Sequence, residues 1–128
     1  MRVSLITACR NAVKTIGDAM ASVGTQKLDG NELEYIVVDG GSTDGTVGVI
    51  RGFEQALNSQ RSTHDFTFRW MSESDRGLYD AINKGIKMAT GDIVGILNAD
   101  DILATDDTLA KIAQVFSHKG HKDHESKV

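Results

Sequence analysis

The sequence predicts an α/β fold in which one mainly parallel β-sheet lies between two layers of helices. Four short apolar runs alternate along the chain with four segments whose apolar residues recur at helical spacing. Short polar turns join these segments, and the chain contains no proline. Because parallel strands need crossovers, which are usually helices, this alternation predicts a three-layer α/β/α arrangement.

The first strand is predicted at residues 3–8, a run rich in branched apolar side chains. The first helix is predicted at residues 12–23, where the apolar residues return at helical spacing. Asn11 is a polar residue at which this helix can be capped, and Gly24 supplies a stop at its end.

The second strand is predicted at residues 33–39 and ends in the carboxylate of Asp39. Residues 40–45 consist of Gly, Ser, Thr and Asp, which is the composition of a turn. The second helix begins at Thr46, and either Thr43 or Asp44 is suited to cap it.

The third strand is predicted at residues 66–71, where the side chains alternate in character. The alternation indicates that one face of the strand is partly exposed, so we expect the strand near an edge of the sheet. A turn at residues 74–77 leads to the third helix, which begins at Leu78 and stops at Gly91.

The fourth strand, at residues 93–97, is a continuous apolar run, which predicts a strand buried on both faces. Thr105 can cap the last helix, which is predicted to end near Phe116. Residues 117–128 contain no apolar side chain before Val128, so we expect a polar, disordered tail. The predicted single domain spans residues 1–116.

The composition is that of one ordinary globular domain, with 128 residues, 40% apolar and 25% charged. A net charge of −4 argues against a nucleic-acid partner, because phosphates require clustered Lys and Arg. Cys9 is the only cysteine, so no internal disulfide can form. No apolar run approaches the roughly 18 residues of a membrane span, and no signal peptide is visible, so we expect a cytoplasmic protein.

Polar side chains lie at the ends of three of the four predicted strands. In a parallel sheet the carboxyl ends of all strands share one edge, where α/β proteins bind ligands. The residues expected there are Thr7, Asn11, Asp39, Asn98, Asp100 and Asp101. Each of them taken alone could be a helix cap or a turn former, and only their convergence indicates a site.

The segment 98–101, Asn-Ala-Asp-Asp, offers only hard oxygen ligands, which suit Mg²⁺ or Mn²⁺ rather than zinc. An ion held there could bridge a diphosphate, although the segment could equally be a turn that caps the next helix. Neither usual glycine-rich phosphate-binding motif occurs in the chain. A diphosphate would therefore need the metal, a helix N-terminus, or cations such as Arg10, Arg76 and Lys84, each of which could also be a solvated surface charge.

With these residues in place, the chain resembles the nucleotide-binding half of the GT-A-type family 2 glycosyltransferases, inverting enzymes that assemble cell-surface polysaccharides. Three motifs carry the resemblance in order: VSLITACRNAVKTI, EYIVVDGGSTDGT and ESDRGLYDAINKGIKMATGDIVGILNADD. The resemblance implies a Rossmann-like fold. It also implies transfer of a hexosyl group from a nucleotide-diphosphate sugar, such as a UDP-sugar, to a saccharide or lipid-linked acceptor.

The resemblance also implies roles for single residues of this chain. Thr7 and Asp39 correspond to contacts with the base and ribose of the nucleotide. Asp100 corresponds to the last acid of the family's D-x-D metal motif and, with Asp101, is expected to hold Mg²⁺ or Mn²⁺. The expected nucleotide-binding residues are Thr7, Arg10, Asn11, Asp39, Arg76, Asn98 and Asp100.

Two positions depart from the family pattern. Asn98 stands where many members carry Asp, so one ligand of the metal motif is neutral, although Asp101 adds a carboxylate next to it. Arg10 stands where many members carry an aromatic residue. A guanidinium can also stack on a base, so base recognition is altered rather than excluded.

Family members look considerably longer than this chain, and their acceptor site and general base lie after the D-x-D strand. An inverting transfer needs a base within hydrogen-bond reach of the attacking hydroxyl. We therefore expect the general base beyond Val128 and interpret the chain as the donor-binding half of the enzyme. By family, a location at the inner face of the membrane is also expected for an enzyme with a lipid-linked acceptor.

Two alternatives stay open. The first is a noncatalytic nucleotide-binding or interaction module, either a truncated product or a subunit completed by a partner chain or a homo-oligomer. Such a module would expose the apolar surface on which the second half packs. The second is a sugar-nucleotide nucleotidylyltransferase, which ranks lower because the glycine-rich segment that follows the first strand in those enzymes is absent here.

Overall fold

The computed structural model describes residues 1–60 and 64–126, with only the backbone described at position 60 and at positions 118–126. Strands and helices alternate along the described chain in the predicted order. They are β1 (Arg2–Cys9), α1 (Ile16–Gly24), β2 (Glu32–Asp39), α2 (Thr46–Gln60), β3 (Phe66–Ser72), α3 (Leu78–Met88), β4 (Ile93–Ile96) and α4 (Thr108–Ser126).

The strands form one parallel sheet in the order β3-β2-β1-β4. The register places Cys9 beside Asp39 at the carboxyl ends of β1 and β2, and Ile6 beside Ile96 on β1 and β4. β3 lies at an edge, as its alternating sequence predicts, and most of its residues are half-buried. The predicted α/β fold with a parallel sheet is confirmed.

Helices cover both faces of this sheet. On one face α1, α2 and α4 enclose the larger core, to which Leu5, Leu33, Tyr35, Ile16, Met20, Ile50 and Leu109 belong. On the other face α3 packs through Ala81 against Ile6, Ile36 and Val38. Gly85 allows this close packing, because a Cβ at that position would lie 2.6 Å from Cγ2 of Ile6. Removing these apolar side chains from water is the main stabilising contribution.

Glu34 of β2 is a charged side chain inside the protein, with 1% of its surface exposed. Its Oε1 accepts hydrogen bonds from Ser4 Oγ at 2.7 Å and from the backbone N–H of Thr90 at 2.9 Å. Its Oε2 lies 3.1 Å from Nη1 of Arg69 and 3.4 Å from Nη2 of Arg2. Burial alone would raise the pKa of Glu34, but the hydrogen bonds outweigh burial and lower this pKa to about 2. The ionised carboxylate therefore connects β1, β2 and β3 to the turn before β4.

β4 differs from its prediction in length and in burial. It ends at Ile96, and Leu97 is buried just after it. Val94 and Ile96 are 44% and 51% exposed, so the prediction of a strand buried on both faces is wrong. The reason is that β4 pairs only with β1 among the described strands, and α3 packs mainly on β1 and β2.

α1 begins at Ile16, later than the predicted residue 12. The backbone N–H groups of Ala12 and Val13 donate to Thr46 Oγ1 and Asp44 Oδ2, so the loop after β2 binds the residues that would form the first turn. α1 has no side-chain cap. At the start of α2, Asp44 Oδ1 accepts the backbone N–H of Thr46 at 3.0 Å, so of the two residues predicted to cap α2, Asp44 is the one that bonds to the first residue of the helix.

α4 is longer than predicted. It continues past Phe116 to Ser126, in place of the predicted disordered tail. The added segment contains no proline, and extending a helix that has already formed costs less than nucleating a new one. Lys127 and Val128 lie outside the described residues, and the domain boundary at residue 116 stays a prediction. Within the described ranges, no helix is both long enough and apolar enough to cross a bilayer.

Candidate functional site

The sheet reverses its direction of winding between β1 and β4. From β1 the chain moves through β2 to β3 in one direction across the sheet, and α3 then returns it to the other side of β1, where β4 forms. Open α/β sheets bind ligands outside the carboxyl ends of their strands at such a switch point. The loops that follow the four strands define this crevice.

The loop after β1 contributes Arg10 and Asn11, both exposed. Asn11 adopts a left-handed φ of 52°, a conformation that Asn tolerates better than most residues. Its Oδ1 accepts the backbone N–H of Thr43 at 2.9 Å, and its own N–H donates to Ser42 Oγ at 2.7 Å. Asn11 therefore fixes the loop after β1 to the loop after β2 and leaves Arg10 at the surface.

Asp39, at the end of β2, is fully buried. Its Oδ2 accepts hydrogen bonds from the backbone N–H groups of Gly41 and Ser42 at 3.1 and 2.9 Å, and from Ser72 Oγ at 2.7 Å. Its Oδ1 accepts from Ser42 Oγ and Cys9 Sγ. Burial would raise the pKa of Asp39, but these hydrogen bonds, led by those of Ser42, lower it.

Five donors therefore form hydrogen bonds to a carboxylate that has about four lone-pair positions. Asp39 lies at the predicted edge of the sheet, but its oxygen atoms are used to shape the loop. Its contact with a nucleotide stays a prediction.

Thr7 is also buried, and its hydroxyl lies 2.9 Å from the hydroxyl of Tyr35. Burial raises the pKa of Tyr35 well above its usual range, so both hydroxyls remain neutral. The structure places Thr7 beneath the crevice rather than in it. The role implied by the resemblance, a contact with the nucleotide, stays a prediction for Thr7.

The loop after β4 contains Asn98, Asp100 and Asp101, all of which are exposed. The backbone N–H of Asp101 donates to the carbonyl of Asn98 at 3.0 Å, and Nδ2 of Asn98 donates to Oδ2 of Asp101 at 3.2 Å. Buried Leu97 anchors this turn, and Ala99 packs against the larger core. The turn is thus held in place by packing against the core, while its carboxylates face solvent.

Asp100 and Asp101 suit a hard divalent cation because their oxygen atoms are exposed and adjacent in the chain. No group of three or more His, Cys, Asp or Glu side chains able to hold a metal occurs in the part of the chain that the structure describes. Mg²⁺ typically uses one or two carboxylates and completes its shell with water and substrate phosphates. The pair therefore fits a metal that a phosphate-bearing ligand would complete.

The two cations near the third helix have different surroundings. Arg76 is exposed, and its backbone N–H donates to Asp80 Oδ2 at 3.0 Å at the start of α3. Nζ of Lys84 instead lies 3.0 Å from a carboxylate oxygen of Glu73 and 3.6 Å from one of Asp80. Of these two candidates, Arg76 is the one whose charge is available to a diphosphate.

Sequence reasoning did not single out Ser42, Ser72 or Asp75. The register pairs Ser72 with Asp39, which explains their hydrogen bond, but register between β2 and β3 is not visible in local patterns. Asp75 is half-buried and lies against Gly40 in the loop after β2. The Ser-Asp-Arg-Gly turn was recognisable as a turn, whereas its contact with that loop depends on the tertiary fold.

Comparisons with known proteins agree with this architecture. A family model described as glycosyl transferase family 2 matches residues 4–123. An uncharacterized glycosyltransferase of Mycobacterium tuberculosis is 36% identical over 118 residues, which cover 92% of this chain and 41% of the relative. The chain thus spans about two fifths of the length of this curated relative.

Two solved structures share the fold. The mannosyltransferase PcManGT from Pyrobaculum calidifontis, in complex with GDP-Man and Mn²⁺, has a TM-score of 0.76 at 30% identity, covering 89% of this chain and 32% of that protein. S. aureus TarS 1–349, in complex with UDP-GlcNAc, has a TM-score of 0.74 at 25% identity, covering 92% of this chain and 32% of that protein.

Proposed function

Because this chain belongs to glycosyl transferase family 2, we propose that it forms the donor-binding part of a glycosyltransferase that uses a nucleotide-diphosphate sugar. One observation carries the proposal. The exposed carboxylates follow β4 and the exposed Arg10 follows β1, and these two strands are neighbours at the switch point of the sheet. A diphosphate bound there would meet both a metal site and a guanidinium.

In this proposal the diphosphate lies nearest β1 and β4. Arg10 pairs with its oxygen atoms, because a guanidinium group matches phosphate geometry with two donors. Arg76 follows β3 and is available to the part of the ligand that extends toward that strand. Asp100 and Asp101 hold Mg²⁺ or Mn²⁺, and the hydrogen bond from Asn98 orients Asp101. When bound, the ion neutralises negative charge that develops on the departing diphosphate.

The reaction would replace one bond at the anomeric carbon of the sugar. The acceptor hydroxyl forms a bond to that carbon while the bond to the diphosphate oxygen breaks, and the diphosphate keeps the electron pair. The proton of the hydroxyl passes to a general base. We propose that this base belongs to the additional length of the relatives, of which this chain spans about two fifths.

The acceptor and the cellular location remain proposals by family resemblance. A saccharide or lipid-linked acceptor in cell-surface polysaccharide synthesis fits an enzyme of this family. An active site in the cytoplasm, at the inner face of the membrane, would give access to such an acceptor. Cell fractionation with antibodies against the protein would test this location.

Isothermal titration calorimetry tests the donor-binding proposal. The 128-residue chain is titrated with UDP and with GDP, each in Mn²⁺ and in EDTA. We expect binding that depends on the metal, and we expect Asp100→Asn to weaken it by at least about tenfold, because losing a charged partner typically costs about 1.5–3 kcal/mol.

Asp29→Asn is the matched control for this titration. Asp29 is exposed in the connection before β2, at the amino ends of the strands and away from the candidate site. Asn tolerates the left-handed φ of 50° at this position. This variant should bind as the unaltered chain does. Equal binding by Asp100→Asn, or no binding of either nucleotide by the unaltered chain, would contradict the proposal.

The edge of β4 favours a second candidate function, a noncatalytic nucleotide-binding or interaction module completed by a partner. β4 pairs only with β1 among the described strands, and Val94 and Ile96 are exposed on its α3 side. A strand that has one unpaired edge and apolar side chains can add another strand. The two candidate functions differ in catalysis. A noncatalytic module would need no acceptor site, either in this chain or in its partner.

A further inference from the structure

The chain returns across the sheet between the turn at residues 98–101 and the start of α4. The turn follows β4 at the carboxyl ends of the strands. The carbonyl of Asp106 accepts the backbone N–H of Lys27 at 2.6 Å, and Lys27 lies in the connection from α1 to β2, at the amino ends of the strands. Residues 102–107, which we call the strap, form neither helix nor strand. The strap therefore leads from the carboxyl ends of the strands back to their amino ends.

Two side chains near the C-terminal end of α1 bind the backbone of the strap and of the helix after it. Oγ of Ser22 accepts the N–H of Leu103 at 3.1 Å. Gln26, which is 2% exposed, donates from Nε2 to the carbonyl of Thr105 at 2.6 Å. Its Oε1 accepts the N–H of Leu109, in the first turn of α4, at 3.1 Å. Side chains of another element, rather than a neighbouring strand, thus satisfy these backbone groups.

Apolar packing contributes little to the position of the strap. Leu103 packs against the larger core, but Ile102 is 62% exposed and residues 104–106 are exposed as well. A cavity of about 200 Å³ lies between the strap and the side chains of Ser22 and Gln26. A segment with few buried apolar contacts opens locally at a low free energy. The hydrogen bonds from Ser22 and Gln26 therefore determine where the strap lies.

The strap in turn restricts the turn at residues 98–101. On one side of the turn, buried Leu97 donates its N–H to the carbonyl of Ile6 at 2.9 Å. On the other side, Ser22 fixes Leu103. Without the hydrogen bonds from α1, the free segment would extend from residue 98 to the start of α4. A longer free segment loses more conformational entropy when its two carboxylates bind one ion.

We propose that Ser22 and Gln26 are positioning residues for the metal-binding turn. This inference rests on the proposed function and deepens it. Both side chains act through the strap, which holds Asp100 and Asp101 where one divalent cation can bind them. Their loss should weaken binding of the metal and leave the guanidinium of Arg10 unaffected.

The Mn²⁺ requirement of UDP binding tests this inference. UDP is titrated by calorimetry into the unaltered chain and into Ser22→Ala at a series of Mn²⁺ concentrations. We expect Ser22→Ala to need about two- to tenfold more Mn²⁺ for half-maximal UDP affinity, a range that corresponds to the net contribution of one hydrogen bond. At saturating Mn²⁺ the two chains should bind UDP equally, because the ion itself then orders the turn.

Hydrogen exchange followed by NMR shows whether the strap is released. The amide of Leu103 should exchange at least about twofold faster in Ser22→Ala, because its acceptor is gone. Amides of β1 should keep their protection. Unchanged exchange at Leu103 would contradict the anchoring role of Ser22.

Gln26→Met provides a second variant, because it keeps the approximate size of the side chain and removes its hydrogen bonds. We expect the same shift in the Mn²⁺ requirement. Ser59→Ala is the matched control for Ser22→Ala. The hydroxyl of Ser59 donates to the carbonyl of Gln55 within exposed α2 at 3.0 Å, as the hydroxyl of Ser22 donates to that of Ala19 at 2.7 Å. This control should need the same Mn²⁺ concentration as the unaltered chain.

The outcomes separate this inference from the proposed function. Metal-dependent UDP binding with an unchanged Mn²⁺ requirement in Ser22→Ala and Gln26→Met would overturn the positioning role alone. An equal loss of UDP affinity at every Mn²⁺ concentration would also overturn it, since such a loss indicates only a structural role. An unaltered chain that binds no UDP would overturn both proposals.

Discussion

The hydroxyl of Ser72, at the end of β3, donates a hydrogen bond to Oδ2 of Asp39, at the end of β2, over 2.7 Å. Cys9 at the end of β1 donates to the other oxygen of the same carboxylate. Asp39 thus connects the carboxyl ends of three adjacent strands. The floor of the candidate site is organised around one buried negative charge.

Replacing Asp39 should therefore affect stability. We expect Asp39→Asn to lower the free energy of unfolding by about 1–3 kcal/mol, because an amide presents N–H groups to donors that now face a carboxylate. Urea denaturation followed by circular dichroism measures this change. Asp29→Asn, on the exposed connection before β2, should change the same quantity by less than about 0.5 kcal/mol. An Asp39→Asn chain of normal stability that fails to bind nucleotide would instead support the ligand role implied by the family.

Glu34 should make stability depend on pH. Its folded-state pKa of about 2 lies below the ordinary value of 4.5. The stability it contributes is therefore complete above about pH 4.5 and is lost as the pH falls toward 2. We expect the free energy of unfolding of Glu34→Gln to fall less steeply across this range than that of the unaltered protein.

Unfolding titrations with guanidinium chloride at a series of pH values measure how the free energy of unfolding of each variant changes with pH. Glu32→Gln is the control, because Glu32 is an exposed neighbour on the same strand that pairs with Arg2 at 3.0 Å. A change of slope in Glu34→Gln that is absent from Glu32→Gln would assign the pH dependence to the buried carboxylate. Identical slopes for Glu34→Gln and the unaltered protein would exclude the role assigned to Glu34.

The edge of β4 should drive self-association at high protein concentration. Val94 and Ile96 are 44% and 51% exposed, and Ile86 of α3 is 47% exposed. We expect Ile96→Lys to reduce association, since a lysine on an edge strand opposes the addition of another strand. Light scattering after size-exclusion chromatography measures the mass. Val115→Lys, at an exposed position of α4, is the control, and a monomeric unaltered chain at all concentrations would contradict this prediction.

The 128-residue chain alone should transfer little or no sugar, because the proposed general base lies in the additional length of the relatives. Release of UDP from UDP-GlcNAc and of GDP from GDP-Man, with Mn²⁺ and candidate saccharide acceptors, measures transfer and hydrolysis together. Sustained turnover that Asp100→Asn abolishes would show that the described residues already contain a complete site, against this prediction.

The order of elements could be predicted from sequence because periodicity is a local property. The alternation at residues 66–71 also placed β3 at an edge. The exposure of Val94 and Ile96 could not be predicted, because a continuous apolar run looks the same whether or not a neighbouring strand covers it. The end of α4 was missed for a related reason, since a polar composition does not prevent a helix from continuing.

The candidate site was predicted in part. Asn11, Asn98, Asp100 and Asp101 lie at the carboxyl edge and are exposed, as convergence of strand ends requires. Thr7 lies on the same strand face as the core residue Leu5, two positions earlier, and this alternation could have indicated its burial. The contact of Asp75 with Gly40 joins two loops that are distant in the chain, so only the folded structure reveals it.

Paramagnetic NMR tests the central claim, that a nucleotide and its metal bind at the carboxyl ends of β1 and β4. Amide spectra of the 128-residue chain with UDP are compared in Mg²⁺ and in Mn²⁺. We expect Mn²⁺ to broaden the amide signals of residues 98–101 most strongly, and to leave those of Gly30, Asn31 and Asp92, at the opposite edge, at full intensity. Broadening centred on that opposite edge, or no UDP-dependent change at residues 98–101, would contradict the claim.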